Sequence, residues 1–432
     1  MTELLAGFGR ADITPKIGCQ LVGYAGRSSG ATGVHDPLFS RALVLENPDG
    51  RWALISNDLC YLNAETIREI RESIYRRVGI PPSHTFVAAT HTHSGPHDRH
   101  AHNWDRPLAE LVANAVETAC QALQPARIGS GFGFLYGYSI NRRWLDRPID
   151  PGIAVLRVDD AAGRPLGLVT NFGCHAVVLG YDNYLISADW PGYACAKLEQ
   201  ALGTGAICLF FQGGAGDVNP LVEGVRKHLR SGHTVIAGDL SAYYGSLDDP
   251  QRWNIYDRGG GTFEEAAELG EAFADEVLRV ATRISTMTLA DSIWSEQVTI
   301  NAAADPDEPR PEPPAWSRAL ITEAPTIANP SDIPAEVMVF SLDGMVLIGE
   351  PGEPFSQTAV NFKVRSRALG YTTPVLAGYA NGWLVYLPEP EAFDEGGYEP
   401  GWAVRLGISR HFQMRVWEAI EPILRQRAMR KG

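Results

Sequence analysis

Short apolar, β-branched runs alternate with amphipathic segments along most of the chain. Residues 52–59 and Thr85–Ala89 predict strands, and Ala64–Val78 between them carries isoleucines at helical spacing, with Asn63 at the expected N-cap. Further strands are predicted at residues 153–158, 166–172, 206–212, 337–348 and 372–379, and further helices at residues 107–123, 191–202, 263–284 and 411–424. This alternation is typical of the α/β class, so we expect layered mixed β-sheets flanked by helices.

One segment departs from the alternation. Residues 301–335 are rich in proline and acidic side chains and show neither strand nor helix periodicity. Such a composition predicts an extended connector, an inserted loop or a lid. We therefore expect a single domain over residues 1–432 that contains this segment as a loop.

Composition and charge exclude several classes of protein. The net charge of −14 opposes binding to phosphate backbones, so we expect no nucleic-acid partner. No apolar run approaches the ~18 residues of a membrane span, and the first 20 residues lack the apolar core of a secretory signal. The 6 cysteines form no CxxC pair. These features predict a cytoplasmic protein without a transmembrane segment; they do not indicate its oligomeric state.

Histidines cluster where a predicted strand ends. Of the chain's 11 histidines, those in the cluster are His91, His93, His97, His100 and His102. His91 and His93 follow Thr85–Ala89 directly, and α/β folds build their sites at the carboxyl ends of strands. If strand geometry persists, the two side chains project to the same side, so that one imidazole could bind a metal while the other moves protons. We expect the remaining three histidines to be ordinary loop residues without a role in the site.

Other strand ends carry similar chemistry. His175 follows the strand at 166–172, two carboxylates (Glu350 and Glu353) follow the strand at 337–348, and the phenol of Tyr386 lies beyond residues 372–379. Two histidines, a carboxylate and one further oxygen can form a catalytic zinc site. On residue type alone, either glutamate could be the ligand.

A glycine-rich turn at residues 213–216 follows the strand at 206–212. It lacks the lysine and the serine or threonine of a phosphate-binding loop, and it does not have the dinucleotide-binding spacing. We expect a tight turn that brings backbone close to the site. The chain has no GxSxG motif, so it lacks the usual nucleophile of a serine hydrolase.

Several short motifs, taken together and in order, resemble the neutral/alkaline non-lysosomal ceramidase family. They are Gly9-Arg10-Ala11-Asp12-Ile13-Thr14-Pro15, Gly23-Tyr24-Ala25, Thr90-His91-Thr92-His93-Ser94-Gly95-Pro96, Asn141-Arg142, residues 171–175, Gly216-Asp217-Val218, Pro351-Gly352-Glu353, residues 381–386 and Gly397-Tyr398-Glu399. The resemblance is to the catalytic domain, without the C-terminal immunoglobulin-like domain of that family.

The resemblance implies zinc-dependent hydrolysis of an N-acyl amide bond, with one Zn2+ per chain. The matching zinc ligands are His91, His175, Glu353 and Tyr386. His93 matches the general acid/base, and Arg142 and Tyr398 match residues near the scissile carbonyl. The match to Pro-Gly-Glu favours Glu353 over Glu350. The implied partner is a small-molecule or lipid-like N-acyl substrate.

One position departs from the family pattern. Asn219 stands where ceramidases carry serine, so a serine acyl-enzyme at this position is excluded and attack by metal-activated water is favoured. The resemblance supports the type of reaction more strongly than it supports the substrate, which is either ceramide or another N-acyl amide.

Two other functions are compatible with the sequence. The first is a zinc-dependent esterase or lactonase acting on a small soluble substrate, and the second is a non-catalytic protein that binds zinc or a lipid. A structural zinc site has no use for a second histidine two residues from a ligand, which favours an enzyme. Asp58 and Asp189 are candidates for orienting the metal-bound histidines.

Overall fold

The computed structural model describes residues 4–24, 27–144, 146–223, 225–226, 261–288, 293–309, 327, 329–342 and 344–429. Most of the predicted proline-rich loop, residues 310–326 and 328, lies outside the described residues. Its two ends are described, and they continue from one strand and into the next, which pair antiparallel with each other.

Strands and helices alternate as the sequence predicts. The strands are β1 Leu5–Asp12, β2 Gly33–Val34, β3 Phe39–Asn47, β4 Gly50–Asn57, β5 Thr85–Ala89, β6 Gln124–Phe134, β7 Ser139–Asn141, β8 Gly152–Asp160, β9 Pro165–Phe172, β10 Leu185–Ile186, β11 Ile207–Gln212, β12 Val218–Pro220, β13 Trp294–Asn301, β14 Pro334–Leu342, β15 Met345–Gly349, β16 Glu353–Pro354, β17 Thr373–Ala377 and β18 Tyr386–Leu387. The α-helices are α1 Ala64–Val78, α2 Leu108–Gln121, α3 Asp189–Leu202, α4 Phe263–Ala281, α5 Ser356–Ala368, α6 Pro390–Glu395, α7 Tyr398–Leu406 and α8 Phe412–Met429.

Two mixed sheets dominate the described part of the chain. The larger has eight strands in the order β11-β9-β8-β6-β1-β3-β4-β5, and the smaller has four in the order β13-β14-β15-β17. Most neighbours are antiparallel, but β4 and β5, β9 and β11, and β15 and β17 run parallel. Parallel neighbours end at the same edge of a sheet, which later brings several loops together.

The two sheets pack face to face, and helices cover their outer faces. Alternate residues on one strand point to opposite layers: Leu54 of β4 contacts the core between the sheets, while Ile55 packs on the side of α1 and α2. In the same way, Phe340 faces the larger sheet and Val339 faces the helical side of the smaller one. The result is a layered order of helices, sheet, sheet and helices, which confirms the predicted fold class.

Strands β1, β3, β6 and β13 and helix α5 were not predicted from the sequence. Two local details also differ from the prediction. Asn63 occupies the N-cap position of α1, but its side chain donates to Asp98 Oδ1 at 2.7 Å instead of capping the helix. The apolar run at 337–348 was predicted as one strand and forms the β14–β15 hairpin instead, with Gly344 at a φ of 79°. The sequence carries a signal for this turn, because Asp343-Gly344 is a pair typical of two-residue hairpin loops, and the one-strand prediction overlooked it. Among the described helices, none is both long and apolar enough to cross a membrane.

Candidate functional site

The candidate residues follow the carboxyl ends of five strands. His91 comes after β5, His175 after β9, and the glycine-rich turn after β11. The loop after β15 leads to Glu353, and the loop after β17 leads to Tyr386. Glu353 and Tyr386 are register partners in the short parallel pair of β16 and β18. Face-to-face packing of the sheets brings these strand ends together, and all the predicted zinc ligands lie in one buried group.

The imidazoles of His91 and His93 meet at their Nε2 atoms, which are 3.0 Å apart. His91 leaves the strand with a φ of 69°, so strand alternation does not persist as the sequence analysis supposed. The Nδ1 of His91 lies 2.8 Å from the carbonyl oxygen of Cys60, to which it donates, and its Nε2 therefore keeps a lone pair. Burial lowers the pKa of His91 to about 3, which keeps the ring neutral.

His175 has the same arrangement. Its Nδ1 donates to the carbonyl oxygen of Ala215 at 2.6 Å, and its Nε2 faces Glu353 Oε2 at 3.1 Å. His91 Nε2 lies 3.5 Å from the same carboxylate oxygen. Burial lowers the pKa of His175 well below its ordinary value and raises that of Glu353. Two neutral imidazoles thus direct lone pairs toward one carboxylate.

This arrangement fits a metal cation. The ligand atoms of His91, His175 and Glu353 all lie within 4.8 Å of one another, and all three side chains are buried. Each nitrogen and the facing oxygen carry lone pairs, so a cation between them would relieve their mutual repulsion. Neutral imidazole and carboxylate are common ligands of zinc and of several other divalent metals.

Arg142 connects Tyr386 and His175 with Glu399. Its Nη2 donates to the hydroxyl of Tyr386 at 2.9 Å, its Nη1 lies 3.2 Å from His175 Nε2, and its Nε donates to Glu399 at 2.7 Å. Arg142 and Glu399 are each 2% exposed. Asn219 accepts from Arg142 Nη1 at 3.2 Å, so the residue that departs from the family pattern holds this guanidinium.

A small cleft, with a cavity volume of about 50 Å³, leads to these groups. Its lining residues are Gly23, Cys60, Tyr61, His91, His93, Glu353, Trp383, Val385, Tyr386, Tyr398 and Trp402. Tyr398 begins α7, and its ring lies 5.7 Å from the ring of Tyr386. A few polar groups at the base of an aromatic cleft are typical of small-molecule sites.

The glycine-rich turn brings backbone close to the site, as predicted. A Cβ at Gly216 would lie 2.5 Å from the carbonyl oxygen of Glu353, and one at Gly214 would lie 2.6 Å from that of Phe355. Side chains at these positions would therefore push away the strand that carries Glu353. The turn is needed for close approach and not for phosphate binding.

Several predicted residues lie outside this group. Glu350 is fully buried, but its Oε2 accepts from Gln413 at 3.0 Å and it does not join the histidines. Asp58 pairs with Arg41 at 2.7 Å, and Asp189 accepts hydrogen bonds from the backbone N–H groups of Trp190 and Leu179. Neither carboxylate bonds to the imidazole of His91 or His175, whose Nδ1 atoms donate to backbone carbonyls. These interactions correct the expectation for both aspartates. The rings of His97, His100 and His102 stack on one another in the following loop, and none belongs to the buried group.

Sequence reasoning missed two residues that contact the site. Glu399 pairs with Arg142, and Tyr379 donates to Glu353 Oε2 at 3.1 Å. The position of Glu399 in the Gly-Tyr-Glu motif was a usable signal, because a buried arginine needs a carboxylate. Tyr379 gave no signal beyond its place as the last residue of a predicted strand.

The chain matches the family model described as neutral/alkaline non-lysosomal ceramidase, N-terminal, over residues 4–235. This match covers more than half of the chain, and the protein belongs to that family. Two curated relatives are neutral ceramidase A of Dictyostelium discoideum and neutral ceramidase of Mycobacterium tuberculosis. The first is 28% identical over 258 residues, covering 50% of this chain and 36% of the relative. The second is 28% identical over 266 residues, covering 51% and 41%. The matches span less than half of either relative.

Solved structures show the same fold. The crystal structure of neutral ceramidase from Pseudomonas aeruginosa matches with a TM-score of 0.74 at 20% identity, covering 99% of this chain and 74% of that one. A ceramidase complexed with C2 matches with a TM-score of 0.74 at 19% identity, covering 99% and 75%. The described architecture therefore has the same fold as these ceramidase structures.

Gly23 allows the close approach of His93. Substitution of Gly23 therefore tests whether activity depends on the position of His93 in the cleft. The φ of Gly23 is +96°, and an added Cβ would lie 2.4 Å from Cγ of His93. We expect Gly23→Ala to displace His93 and lower kcat at least ~10-fold, because small misplacements of a reacting group are costly. Steady-state kinetics together with metal content would measure this effect.

Gly18→Ala is the matched control. Gly18 has a φ of +92° in the same region, but an added Cβ would have no neighbour within 4 Å. Both variants carry similar backbone strain, so only the contact with His93 distinguishes them. Equal activity of the two variants would contradict the proposed position of His93.

The buried carboxyl group of Glu350 should make the free energy of unfolding depend on pH. Burial raises its pKa from 4.5 to about 8. Its contribution to folding is therefore fully present below pH ~4.5 and is lost as the pH rises to ~8. We expect the free energy of unfolding of Glu350→Gln to exceed that of wild type increasingly over this range, by a few kcal/mol in total, since each pKa unit is worth ~1.4 kcal/mol. Urea denaturation at pH 5 and pH 8 measures it; an unchanged difference would contradict the assignment.

Proposed function

We propose that this protein is a zinc-dependent hydrolase that cleaves an N-acyl amide bond. The observation that carries the proposal is the buried convergence of His91, His175 and Glu353 within 4.8 Å, with His93 beside it. His91, His175, Glu353 and Tyr386 would hold one Zn2+. Bound zinc would supply a water molecule with a lowered pKa and polarise the scissile carbonyl.

His93 is the proposed general acid/base. Burial and the neighbouring imidazoles lower the pKa of His93 well below 6.5, so its ring is neutral and able to accept a proton. For its Nε2 to take the proton from the attacking water and then deliver it to the departing nitrogen, His93 must carry its own proton on Nδ1, with the lone pair of His91 Nε2 directed to the metal and no longer to His93. An amide needs this second step because an unprotonated amine anion leaves poorly. The same histidine serves both transfers.

Arg142 and Tyr398 are the proposed stabilisers of the oxyanion. Arg142 is buried behind the cleft and donates to the hydroxyl of Tyr386, and Tyr398 lines the cleft beside Tyr386. Each well-placed donor at a developing oxyanion contributes about 3 kcal/mol. Glu399 balances the buried guanidinium and keeps it oriented through the Nε bond.

The proposed substrate class is the N-acyl sphingosines and related N-acyl amines. Family membership and the names of the relatives support this choice, and the aromatic lining of the cleft suits an apolar acyl chain. The position of Asn219, a residue without the hydroxyl of serine, favours attack by activated water over an acyl-enzyme.

Substitution of two histidines separates metal binding from proton transfer. We expect His175→Ala to lose zinc on dialysis, because a ligand is removed. His93→Ala should retain zinc and lose at least ~10²-fold in kcat, because only the acid/base is removed. Metal analysis after dialysis and steady-state rates give both readings. His100→Ala, an exposed neighbour in the same loop, is the control. Full activity of His93→Ala would refute its role.

The substrate class is tested by comparing three compounds with zinc-replete protein: a fluorescent N-acyl sphingosine, a short-chain N-acyl amine and the matching short-chain ester. We expect hydrolysis of the sphingolipid and its loss after chelation. Cleavage of the small amide alone would retain the amidase proposal and move the substrate to a soluble metabolite. Cleavage of the ester without either amide would overturn the proposal in favour of an esterase.

A further inference from the structure

Tyr379 lies at the junction of the loops that carry the proposed ligands. It is 0% exposed and follows β17 after a single glycine. Its backbone N–H donates to the carbonyl oxygen of Gly352 at 2.8 Å, and its own carbonyl oxygen accepts from Ala89 N at 3.0 Å. The residue therefore ties the end of β5, which leads to His91, to the loop that leads to Glu353.

The backbone of Tyr379 adopts an uncommon conformation to make these bonds. Its φ is 55°, which is rare for an aromatic residue and carries backbone strain. Adjacent backbone bonds hold it in place: Gly378 N donates to Gln212 O at 3.0 Å, and Ala380 N donates to Glu350 O at 2.9 Å. The surrounding strand ends thus determine where the phenol points.

The side chain of Tyr379 contacts two of the proposed ligands at once. Its hydroxyl donates to Glu353 Oε2 at 3.1 Å, the same oxygen that faces both imidazoles. Its ring stacks on the ring of His91, with centroids 4.0 Å apart and planes 28° apart. The hydroxyl constrains the carboxylate, and the ring limits rotation of the imidazole.

The two phenols of the site have opposite hydrogen-bond roles. The hydroxyl oxygen of Tyr386 accepts a hydrogen bond from Arg142, and its second lone pair is the one that would face a cation. The hydroxyl of Tyr379 donates to a carboxylate, so its proton is engaged and its oxygen is not needed as a ligand. Tyr386 is therefore suited to binding a metal, and Tyr379 is suited to holding the carboxylate of Glu353.

We propose that Tyr379 is a positioning residue that orients Glu353 and His91 for metal binding, with no direct contact to substrate. The inference rests on the proposed metal centre and adds a residue to it. Partners that orient ligands in this way typically raise metal affinity 10–100-fold.

The test is the zinc affinity of Tyr379→Phe, measured by competition with a chromogenic chelator. The substitution keeps the ring and its stacking and removes only the hydroxyl. We expect zinc binding to weaken about 10–100-fold. Tyr371→Phe is the matched control: Tyr371 is also buried, lies just before the start of β17 and donates to Leu424 O at 3.1 Å. It should bind zinc as wild type does.

A double-mutant cycle with Glu353→Gln shows whether the hydroxyl acts through the carboxylate. If it does, Tyr379→Phe weakens zinc binding in the wild-type background and has little further effect in the Glu353→Gln background. Equal losses in both backgrounds would overturn the inference. Thermal unfolding of the metal-free variants checks that each is folded, and the visible spectrum of cobalt-substituted Tyr379→Phe should shift if Glu353 has moved.

The outcomes separate this inference from the proposed function. If wild type binds no zinc, the proposed metal centre fails, and the inference fails with it. If wild type binds zinc and Tyr379→Phe binds it equally tightly, only the role of Tyr379 is refuted.

Discussion

The contact between Glu353 Oε2 and the Nε2 atoms of His91 and His175 is the constraint on which the site depends. Three buried groups that carry lone pairs repel one another unless a cation or a proton lies between them. The fold holds them together because the loops that carry them are attached to strands of two packed sheets. The unfavourable electrostatics of this arrangement are the physical reason to expect a metal there.

The same constraint explains the residues that surround the site. A buried guanidinium is costly without a partner, and Glu399 supplies one for Arg142 at 2.7 Å. Arg142 can then place positive charge behind Tyr386, while Asn219 and Tyr386 fix its orientation. The glycine-rich turn lets backbone pack directly on the strand of Glu353. The position of the ligands therefore depends both on the paired charges of Arg142 and Glu399 and on the close packing of the glycine-rich turn.

Local sequence patterns were sufficient for much of the fold. Helix α1 has the predicted bounds, and the strand before His91 ends where its apolar run ends. The β14–β15 hairpin was predictable from Asp343-Gly344, a typical hairpin pair, but residues 337–348 were predicted as one buried strand. Asp58 was not predictable in this way, because a carboxylate after a core strand looks the same in sequence whether its partner is a histidine or, as found, Arg41.

Glu350 and Glu353 show most clearly what the sequence determines and what only the tertiary structure determines. The sequence by itself determined the layered α/β class, the paired histidines after β5 and the presence of two carboxylates after β15, because these follow from periodicity and residue type. Motif resemblance favoured Glu353. Only the tertiary structure placed Glu353 against the imidazoles and Glu350 against Gln413, because two glutamates three positions apart differ only in the packing around them.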